Sequence, residues 1–435
     1  MCSSTTTDNA VAHGPGVLTS RARRLEPADL PTIVRPGKLV YVPGSSGAPL
    51  VFMEELLRQP EFTRDARVLT TYAPGINKLD ISGLHASGTV TGLLMQPSAS
   101  QAQREGRFRA LPMSYFGFVR HLINDVDIDL TVMQVSAPDG YGRCSLGPAV
   151  EFMPAVLSKS RRRLGLVNRQ TPAIRGSITV PYDSFDYVCE VDTPLPVYNT
   201  PADARTEAIA RHIAPLVENG SVLQTGLGRV PTALMRLLRN RRNLRLHSGM
   251  LSDGLLDLAE AGALDMDFMH TTCVLVGSSE FYQRVRDFDP LRIVGCDTTH
   301  DPRTLMQLER FVAVNSALEV DLFGQCNLEH TNGAAISGAG GAPDFARAGR
   351  LSHGGCSIVA LHANHKKGSR IVPCLSNGAV ASLSRVDVDY VVTEFGVARL
   401  NGASVHERAE AIIAVAAPEH RSELQHAWRA LAARL

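Results

Sequence analysis

Short apolar runs rich in β-branched residues alternate with amphipathic helical patterns along nearly the whole chain. Parallel strands cannot be joined by tight hairpins, so strand–helix–strand alternation predicts parallel sheets with helices on both faces. The sequence therefore predicts an α/β fold. The strand-like runs are KLVYVP, ARVLTTY, IDLTVMQVS, RLGLVN, SVLQTG, LRLH, CVLVG, CSIVALH and YVVTEFG, and the clearest helical patterns are PLVFMEELLRQ, ADARTEAIARHIAPLVENG and PTALMRLLRNRR.

One internal similarity predicts how many such units the chain contains. The stretch LVYVPGSSGAPLVFMEELL is echoed by SVLQTGLGRVPTALMRLL, which carries Gly226 and Gly228 in a turn between a strand and a helix. A glycine turn lets the backbone approach a ligand, and a proline suits the first turn of the helix that follows. The alternative is two ordinary strand-to-helix turns. We expect two similar halves joined by the proline-rich segment 191–205, with domains at 21–200 and 201–435.

Charge and composition exclude several classes of protein. Lys plus Arg total 44 and Asp plus Glu total 43, so a net charge of +1 predicts neither a nucleic-acid surface nor an anionic membrane as partner. No apolar run approaches the ~20 residues that a spanning helix needs. Residues 1–20 lack a basic start and an apolar stretch, which predicts a disordered tail rather than a secretory signal. Eight cysteines without a CxxC pair, and 14 dispersed histidines, predict a cytoplasmic protein without a metal site.

Several polar stretches are candidate site residues. The loop ISGAGGAPDF contains Gly338, Gly340 and Gly341, whose closely spaced backbone N–H groups suit an oxyanion or a phosphate. The alternative is a tight turn between elements, but the density of glycines favours a loop that faces a ligand. The loop 362–370 is basic and could contact phosphates or remain solvated. The pair His300–Asp301 could be a catalytic histidine with its acid, but an isolated histidine is more often only a hydrogen-bonded polar group.

The stretch LRLHSGMLSDG predicts a short strand, a sharp turn at SGM and a helix opened by SDG. The carboxyl end of a strand is where α/β proteins bind ligands and place catalytic side chains. In this chain Gly249 lies there.

The motifs taken together resemble those of the acetyl-CoA hydrolase/transferase family, similar to the butyrate and 4-hydroxybutyrate CoA-transferases, from about residue 35 to the end. This resemblance implies two similar open parallel-sheet α/β domains of the class I CoA-transferase type, with a CoA site carried by the second. It also implies a homodimer or homotetramer. The motifs are VSAPDGYGRCSLG, LVNRQTPAIRGS, VLQTGLGRVPTAL, NSALEVDLFGQCN, SGAGGAPDFARAGRLSHGG, SRIVP and DYVVTEFGVARLNGASVHERA.

The resemblance also implies a chemistry from which this sequence departs. In the family a glutamate attacks an acyl-CoA, forming a mixed anhydride and then a glutamyl-CoA thioester. That glutamate belongs to an HSEM-like turn, and Gly249 stands in its place. An asparagine of the family that helps to hold the thioester oxyanion is replaced by His300. The GxGG loop, Gly338 to Gly341, is retained, with Ala342 and Pro343 where the family often has a glutamine or serine.

Three functions follow as alternatives. The chain could hydrolyse an acyl-CoA or pass the acyl group directly to another nucleophile, with His300 as general base or oxyanion donor and coenzyme A as the only cofactor, used as a substrate. It could be a conventional acyl-CoA:carboxylate CoA-transferase acting on a small carboxylate through another acid. It could bind acyl-CoA without turnover. The acids weighed for the second alternative are Asp253, Glu280 and Glu319, whereas Asp321 is expected to end a strand in a solvated or ion-paired position.

Overall fold

The computed structural model describes residues 22–198, 200–331, 333–365 and 368–435. The predicted tail, 1–20, lies outside the described residues. Two eight-stranded sheets, accompanied by short hairpins, confirm the predicted α/β class with large parallel sheets. Among the residues that the structure describes, no helix is both long and apolar enough to cross a membrane.

The first sheet is built by the N-terminal half of the chain in the order β1-β10-β8-β6-β2-β3-β4-β5, and every neighbouring pair is parallel. Its strands are β1 Arg23–Arg24, β2 Leu39–Val42, β3 Arg67–Thr70, β4 Thr89–Gly92, β5 Phe108–Ala110, β6 Leu130–Val135, β8 Arg163–Asn168 and β10 Tyr187–Val191, while β7 Arg143–Ser145 and β9 Thr179–Pro181 form a separate hairpin. Its helices are α1 Leu50–Arg58, α2 Ser100–Arg104, α3 Tyr115–Asn124 and α4 Met153–Leu157.

The second sheet has the order β14-β13-β12-β11-β15-β20-β24-β25, parallel except for the last pair. Its strands are β11 Val222–Thr225, β12 Arg245–Leu251, β13 His270–Leu275, β14 Leu291–Ile293, β15 Phe311–Ser316, β20 Cys356–Ala360, β24 Tyr390–Thr393 and β25 Gly396–Arg399. Short strands are β16 Glu319–Asp321, β17 Cys326–Asn327, β18 His330–Thr331, β19 Ala334–Ala335, β21 Asn364–His365, β22 Gly368–Ser369 and β23 Ile371–Val372. The helices are α5 Ala204–Ile213, α6 Arg229–Leu237, α7 Gly254–Glu260, α8 Ser279–Arg284, α9 Cys296–Thr299, α10 Pro302–Leu305, α11 Ala342–Leu351, α12 Val405–Ala414 and α13 Pro418–Ala432.

The two sheets follow one connection pattern, which confirms the similarity of the halves. In each, three strands follow an inner strand, β2 or β11, on one side of it, and the next strand, β6 or β15, then pairs with that inner strand on its other side. The short edge strand β1 precedes this pattern in the first sheet. The reversal is a topological switch point, where open α/β sheets bind ligands. The two echoed glycine turns follow β2 and β11 and therefore lie at these two switch points.

The apolar strand pattern follows from burial on both faces. In β2, Leu39 and Tyr41 enter one core cluster, while Val40 and Val42 enter the cluster on the opposite face. Because side chains alternate across a strand, a strand covered on both sides reads as a continuous apolar run. One predicted helix is shorter than its pattern: α5 ends at Ile213, because Pro215 cannot continue the helix.

Candidate active site

Strand β12 carries Gly249 and is longer than its sequence predicted. The predicted turn at SGM was wrong, since Met250 and Leu251 still pair with Val274 and Leu275 of β13. The helix opened by SDG is present as α7, beginning at Gly254. Gly249 is therefore near the end of a strand and not in a turn, and a side chain at this position would project from a sheet face.

The sheet opens beside Gly249. Strands β11 and β12 pair only in their first residues, up to Leu223 and Leu246. Beyond that point Ser248 Oγ donates to the carbonyl oxygen of Thr225, at 2.8 Å. The loop with Gly226 and Gly228 follows Thr225 directly, so the structure brings this glycine turn to the strand edge where Gly249 lies.

The imidazole of His300 occupies the space in front of Gly249. A Cβ atom built on Gly249 would lie 3.1 Å from both Cε1 and Nε2 of His300 and 3.4 Å from Phe345 Cε2. A Cβ on Gly341 would lie only 2.4 Å from the same Nε2. Three of the predicted site positions, 249, 300 and 341, are thus in one cluster. The ring of His300 fills the space beside Gly249.

His300 is fully buried, and its two ring nitrogens differ. Nδ1 is 2.8 Å from the Thr299 hydroxyl, whereas Nε2 has no hydrogen-bond partner among the described residues. Burial lowers the pKa of His300 to about 3, so the ring is neutral near pH 7. His247, beneath it in β12, donates from Nε2 to the Thr299 carbonyl at 2.9 Å, and burial lowers its pKa to about 4.

The predicted partner of His300 does not contact it. Asp301 caps α10 through Arg303 N and also pairs with the Arg303 guanidinium at 3.0 Å. Of the two interpretations that the sequence left open, the structure therefore does not show the His300–Asp301 pair, because the Asp301 carboxylate is held by its own helix terminus.

The glycine loop lies between the two halves of the chain. A Cβ on Gly338 would meet Leu94 Cδ2 at 3.0 Å and the Leu93 carbonyl at 3.1 Å, and Gly340 accepts a hydrogen bond from Tyr115 N at 3.2 Å. The loop leads into α11, whose N-cap is Gly341. Backbone N–H groups at such a helix start are suited to an anionic oxygen.

Asp344, in the first turn of α11, ties this helix to the N-terminal half. It accepts hydrogen bonds from Ser114 Oγ at 2.8 Å and Phe116 N at 3.1 Å. Burial nevertheless raises the pKa of its carboxyl to about 6. The contact holds the glycine loop against α3.

None of the acids that the sequence offered as alternatives to a glutamate at position 249 is free of other partners. Asp253 accepts from both N and Oγ of Ser278, and Glu319 accepts from Ser376 N at 3.0 Å. Glu280 is exposed and pairs with Arg284 at 3.5 Å. Asp321 is buried rather than solvated and is held by a local turn, where it accepts from Phe323 N and Gln325 N.

One buried acid near the cluster escaped the sequence analysis. Glu151 accepts from Ser45 Oγ at 2.5 Å and Thr71 Oγ1 at 3.2 Å, and burial raises the pKa of its carboxyl. Its backbone carbonyl accepts from Cys296 N at 2.6 Å, four residues before His300. An isolated acid inside the apolar run GPAVEFMPAVL was the signal that could have identified it.

A polar cavity of about 230 Å³ lies in the second half, next to the glycine loop. It is lined by Glu319, His330, His365 and Arg370 among others, and Ile336 at the start of the glycine loop donates to the carbonyl of Glu329, beside His330. The predicted basic loop 362–370 contributes to this lining, while its residues 366 and 367 lie outside the described residues. The guanidinium of Arg370 in this lining is a group of the kind that binds phosphate.

Comparison with known proteins identifies the family. The N-terminal domain of acetyl-CoA hydrolase/transferase matches residues 22–198, and the C-terminal domain of acetyl-CoA hydrolase/transferase matches residues 277–428. The chain belongs to the acetyl-CoA hydrolase/transferase family. Members of this family are CoA-transferases or acetyl-CoA hydrolases that act on acyl-CoA thioesters, which confirms the enzyme class expected from the motifs.

Individual relatives include both activities. A 4-hydroxybutyrate coenzyme A transferase of Clostridium kluyveri is 31% identical, over 88% of this chain and 92% of its own. An acetyl-CoA hydrolase of Kluyveromyces lactis is 27% identical, over 69% and 65%. The crystal structure of RipA from Yersinia pestis superposes with a TM-score of 0.86 at 26% identity, covering 94% of this chain and 97% of that one.

Proposed function

We propose that this enzyme cleaves an acyl-CoA thioester without a covalent glutamyl intermediate at position 249, and that CoA leaves by hydrolysis or by direct acyl transfer to another nucleophile. The observation that carries the proposal is the contact between Gly249 and His300. Position 249 has no carboxylate, and an imidazole ring lies where the side chain of residue 249 would extend.

The surrounding groups suit the thioester. The backbone N–H groups of the loop Gly338–Gly341 receive the oxyanion, and the cavity beside Arg370 receives phosphates of coenzyme A. His300 Nε2 lies against Gly341 and has no hydrogen-bond partner within the described parts of the chain, so this nitrogen is available to the reacting carbonyl or to the attacking nucleophile. The enzyme works as a homodimer or homotetramer in the cytoplasm.

Two variants of His300 separate its two roles. A neutral imidazole can donate a hydrogen bond to an oxyanion or take up a proton from water, whereas a glutamine amide can donate the hydrogen bond but cannot act as a base. If His300 donates a hydrogen bond to the oxyanion, His300→Gln retains much of the turnover and His300→Ala loses the turnover. If His300 is a general base, both variants lose the turnover. Equal turnover in wild type and His300→Ala would exclude both roles.

The main test follows free CoA and acyl products over a series of short acyl-CoA substrates, with and without acetate. Release of CoA without acetate, and no protein-bound CoA adduct by mass spectrometry, supports the proposal. Transfer of CoA from the acyl-CoA to acetate, together with a CoA adduct on a glutamate of the protein, supports conventional CoA transfer. Glu151 is the acid whose position favours that second function, and Glu151→Gln would then abolish the adduct. Binding of acyl-CoA without turnover would indicate a non-catalytic protein.

A further inference from the structure

Three soft metal-binding side chains meet beside Gly249. Cys273, Cys296 and His300 are all buried, and their potential ligand atoms lie within 4.8 Å of one another. The two sulfur atoms are 3.5 Å apart. Both cysteines are free thiols.

We propose that Cys273, Cys296 and His300 form a three-ligand site for one Zn²⁺ ion. Thiolate sulfur and imidazole nitrogen are ligands that zinc prefers, and two cysteines with one histidine can hold zinc with a fourth position left open. The proposal concerns binding and does not rest on the proposed reaction. A zinc ion at His300 Nε2 would exclude that nitrogen from acting as base or oxyanion donor, so the proposed reaction is assigned to the metal-free enzyme.

The geometry is close to that of a bound ion. Two sulfurs at about 2.3 Å from a tetrahedral zinc are about 3.8 Å apart, and the observed separation is 3.5 Å. His300 is the C-cap of the short helix α9 and donates its backbone N–H to the Cys296 carbonyl at 3.1 Å, so one helical turn brings these two residues together. Cys273 comes from the adjacent strand β13, so a short helix and a strand supply the ligands.

The histidine has the partner pattern of a metal ligand. Its Nδ1 is paired with the Thr299 hydroxyl, while Nε2 is buried without a partner. Ligating histidines usually bond their second nitrogen in this way, which fixes the ring orientation. A buried nitrogen without a partner is itself unfavourable, and a metal bond would satisfy it. Because residues 249 and 341 are glycines, no Cβ atom crowds the space beside His300 Nε2.

Charge balance suits a buried position. Binding converts two thiols to thiolates and releases two protons, and the complex of Zn²⁺, two thiolates and a neutral imidazole carries no net charge. No oxidant or reductant takes part. A neutral complex avoids the cost of an isolated buried charge.

The test measures zinc affinity of the full-length chain, freed of metal and kept reduced with a phosphine, against a chromophoric zinc chelator. We expect one ion per chain, and at least about 100-fold weaker binding for Cys273→Ser, Cys296→Ser and His300→Ala. Cys144→Ser is the matched control, since Cys144 is equally buried in the first half of the chain. Cys374→Ser controls for the exposed thiol.

Cobalt provides a second readout that needs no variant to fold well. Co²⁺ bound by wild type should give the intense near-ultraviolet charge-transfer absorption of thiolate ligands, displaced by one equivalent of Zn²⁺. The proposal is overturned if wild type binds zinc no more tightly than the Cys273→Ser/Cys296→Ser double variant. It is also overturned if binding is lost only in Cys374→Ser, or if the cobalt complex lacks thiolate absorption.

Discussion

Restoring a glutamate at position 249 tests the site most directly, because the structure predicts that the change alone fails. The backbone of Gly249 is not left-handed, so available space decides the outcome. The new Cβ would be 3.1 Å from two atoms of the His300 ring, which is itself confined by Tyr115 and Phe345 at ring-centre distances of 5.0 and 4.5 Å. Overpacking of this kind costs about 1–3 kcal/mol, and a poorly paired carboxylate adds to it.

The double variant provides the decisive comparison. His300→Ala alone removes a buried ring and should lower the free energy of unfolding by about 2–4 kcal/mol. In Gly249→Glu/His300→Ala the glutamate can occupy the space of the removed ring. The double variant should therefore be destabilised by about 1–3 kcal/mol less than the sum of the two single variants. Urea unfolding of the four proteins gives these values.

Chemistry provides the second readout. Only the double variant should acquire the mass of one coenzyme A less one water when it is incubated with acyl-CoA. Gly140→Glu is the control, because Gly140 is exposed and has open space around its Cβ position. Strict additivity of the two stability changes, or a fully stable Gly249→Glu protein, would refute the claim that residue 249 and His300 compete for one volume.

Three further changes test neighbouring parts of the site. Gly341→Ala should cost about 1–3 kcal/mol by urea unfolding and reduce thioester turnover, because its Cβ would lie 2.4 Å from His300 Nε2, while Gly140→Ala should change neither. Asp344 has a carboxyl pKa raised to about 6, so its stabilising contribution is complete below about pH 4 and is lost as pH rises through 6. The free energy of unfolding of Asp344→Asn, relative to that of wild type, should therefore increase from pH 4 to pH 8. The increase should be at most about 3 kcal/mol, since the group is half-buried. A difference in stability that does not change with pH would contradict this. Glu151→Ala should lower the free energy of unfolding by about 1–3 kcal/mol, because two hydroxyl donors lose their acceptor. Glu151→Gln keeps an acceptor oxygen and should lower it less. Equal unfolding midpoints for the two variants would be inconsistent with this hydrogen-bond pattern.

The fold was predictable because its signal is local and repeated. Each buried strand, such as β2 or β11, has its own apolar run, and the glycine turns that follow mark the switch points. The end of β12 was not predictable in the same way. Met250 and Leu251 extend the strand because β13 lies beside them, and that pairing depends on residues more than 20 positions away in the chain.

The site was predictable only where a motif identified it. Gly249 at a strand end, His300 beside Asp301 and Gly341 in the glycine loop were noted from the residues, and the family resemblance linked them to one chemistry. The structure brings them into contact. The group of Cys273, Cys296 and His300 was missed because two of its ligands are 23 residues apart and match no metal-binding spacing. Glu151 was missed because an acid in an apolar run identifies no partner until the loops after β2 and β3 supply Ser45 and Thr71.

The two departures from the family's motifs can be understood as one structural change. The resemblance places a glutamate at 249 and an asparagine at 300, and this chain has glycine and histidine there. A side chain at 249 and the His300 ring require the same volume, since even a single Cβ would touch the ring. The absence of a side chain at Gly249 therefore leaves room for the His300 ring, which fills that space. The pairing of glycine with histidine places a neutral imidazole nitrogen, and no carboxylate, beside the glycine loop, which agrees with the proposal of a reaction that uses no carboxylate at position 249.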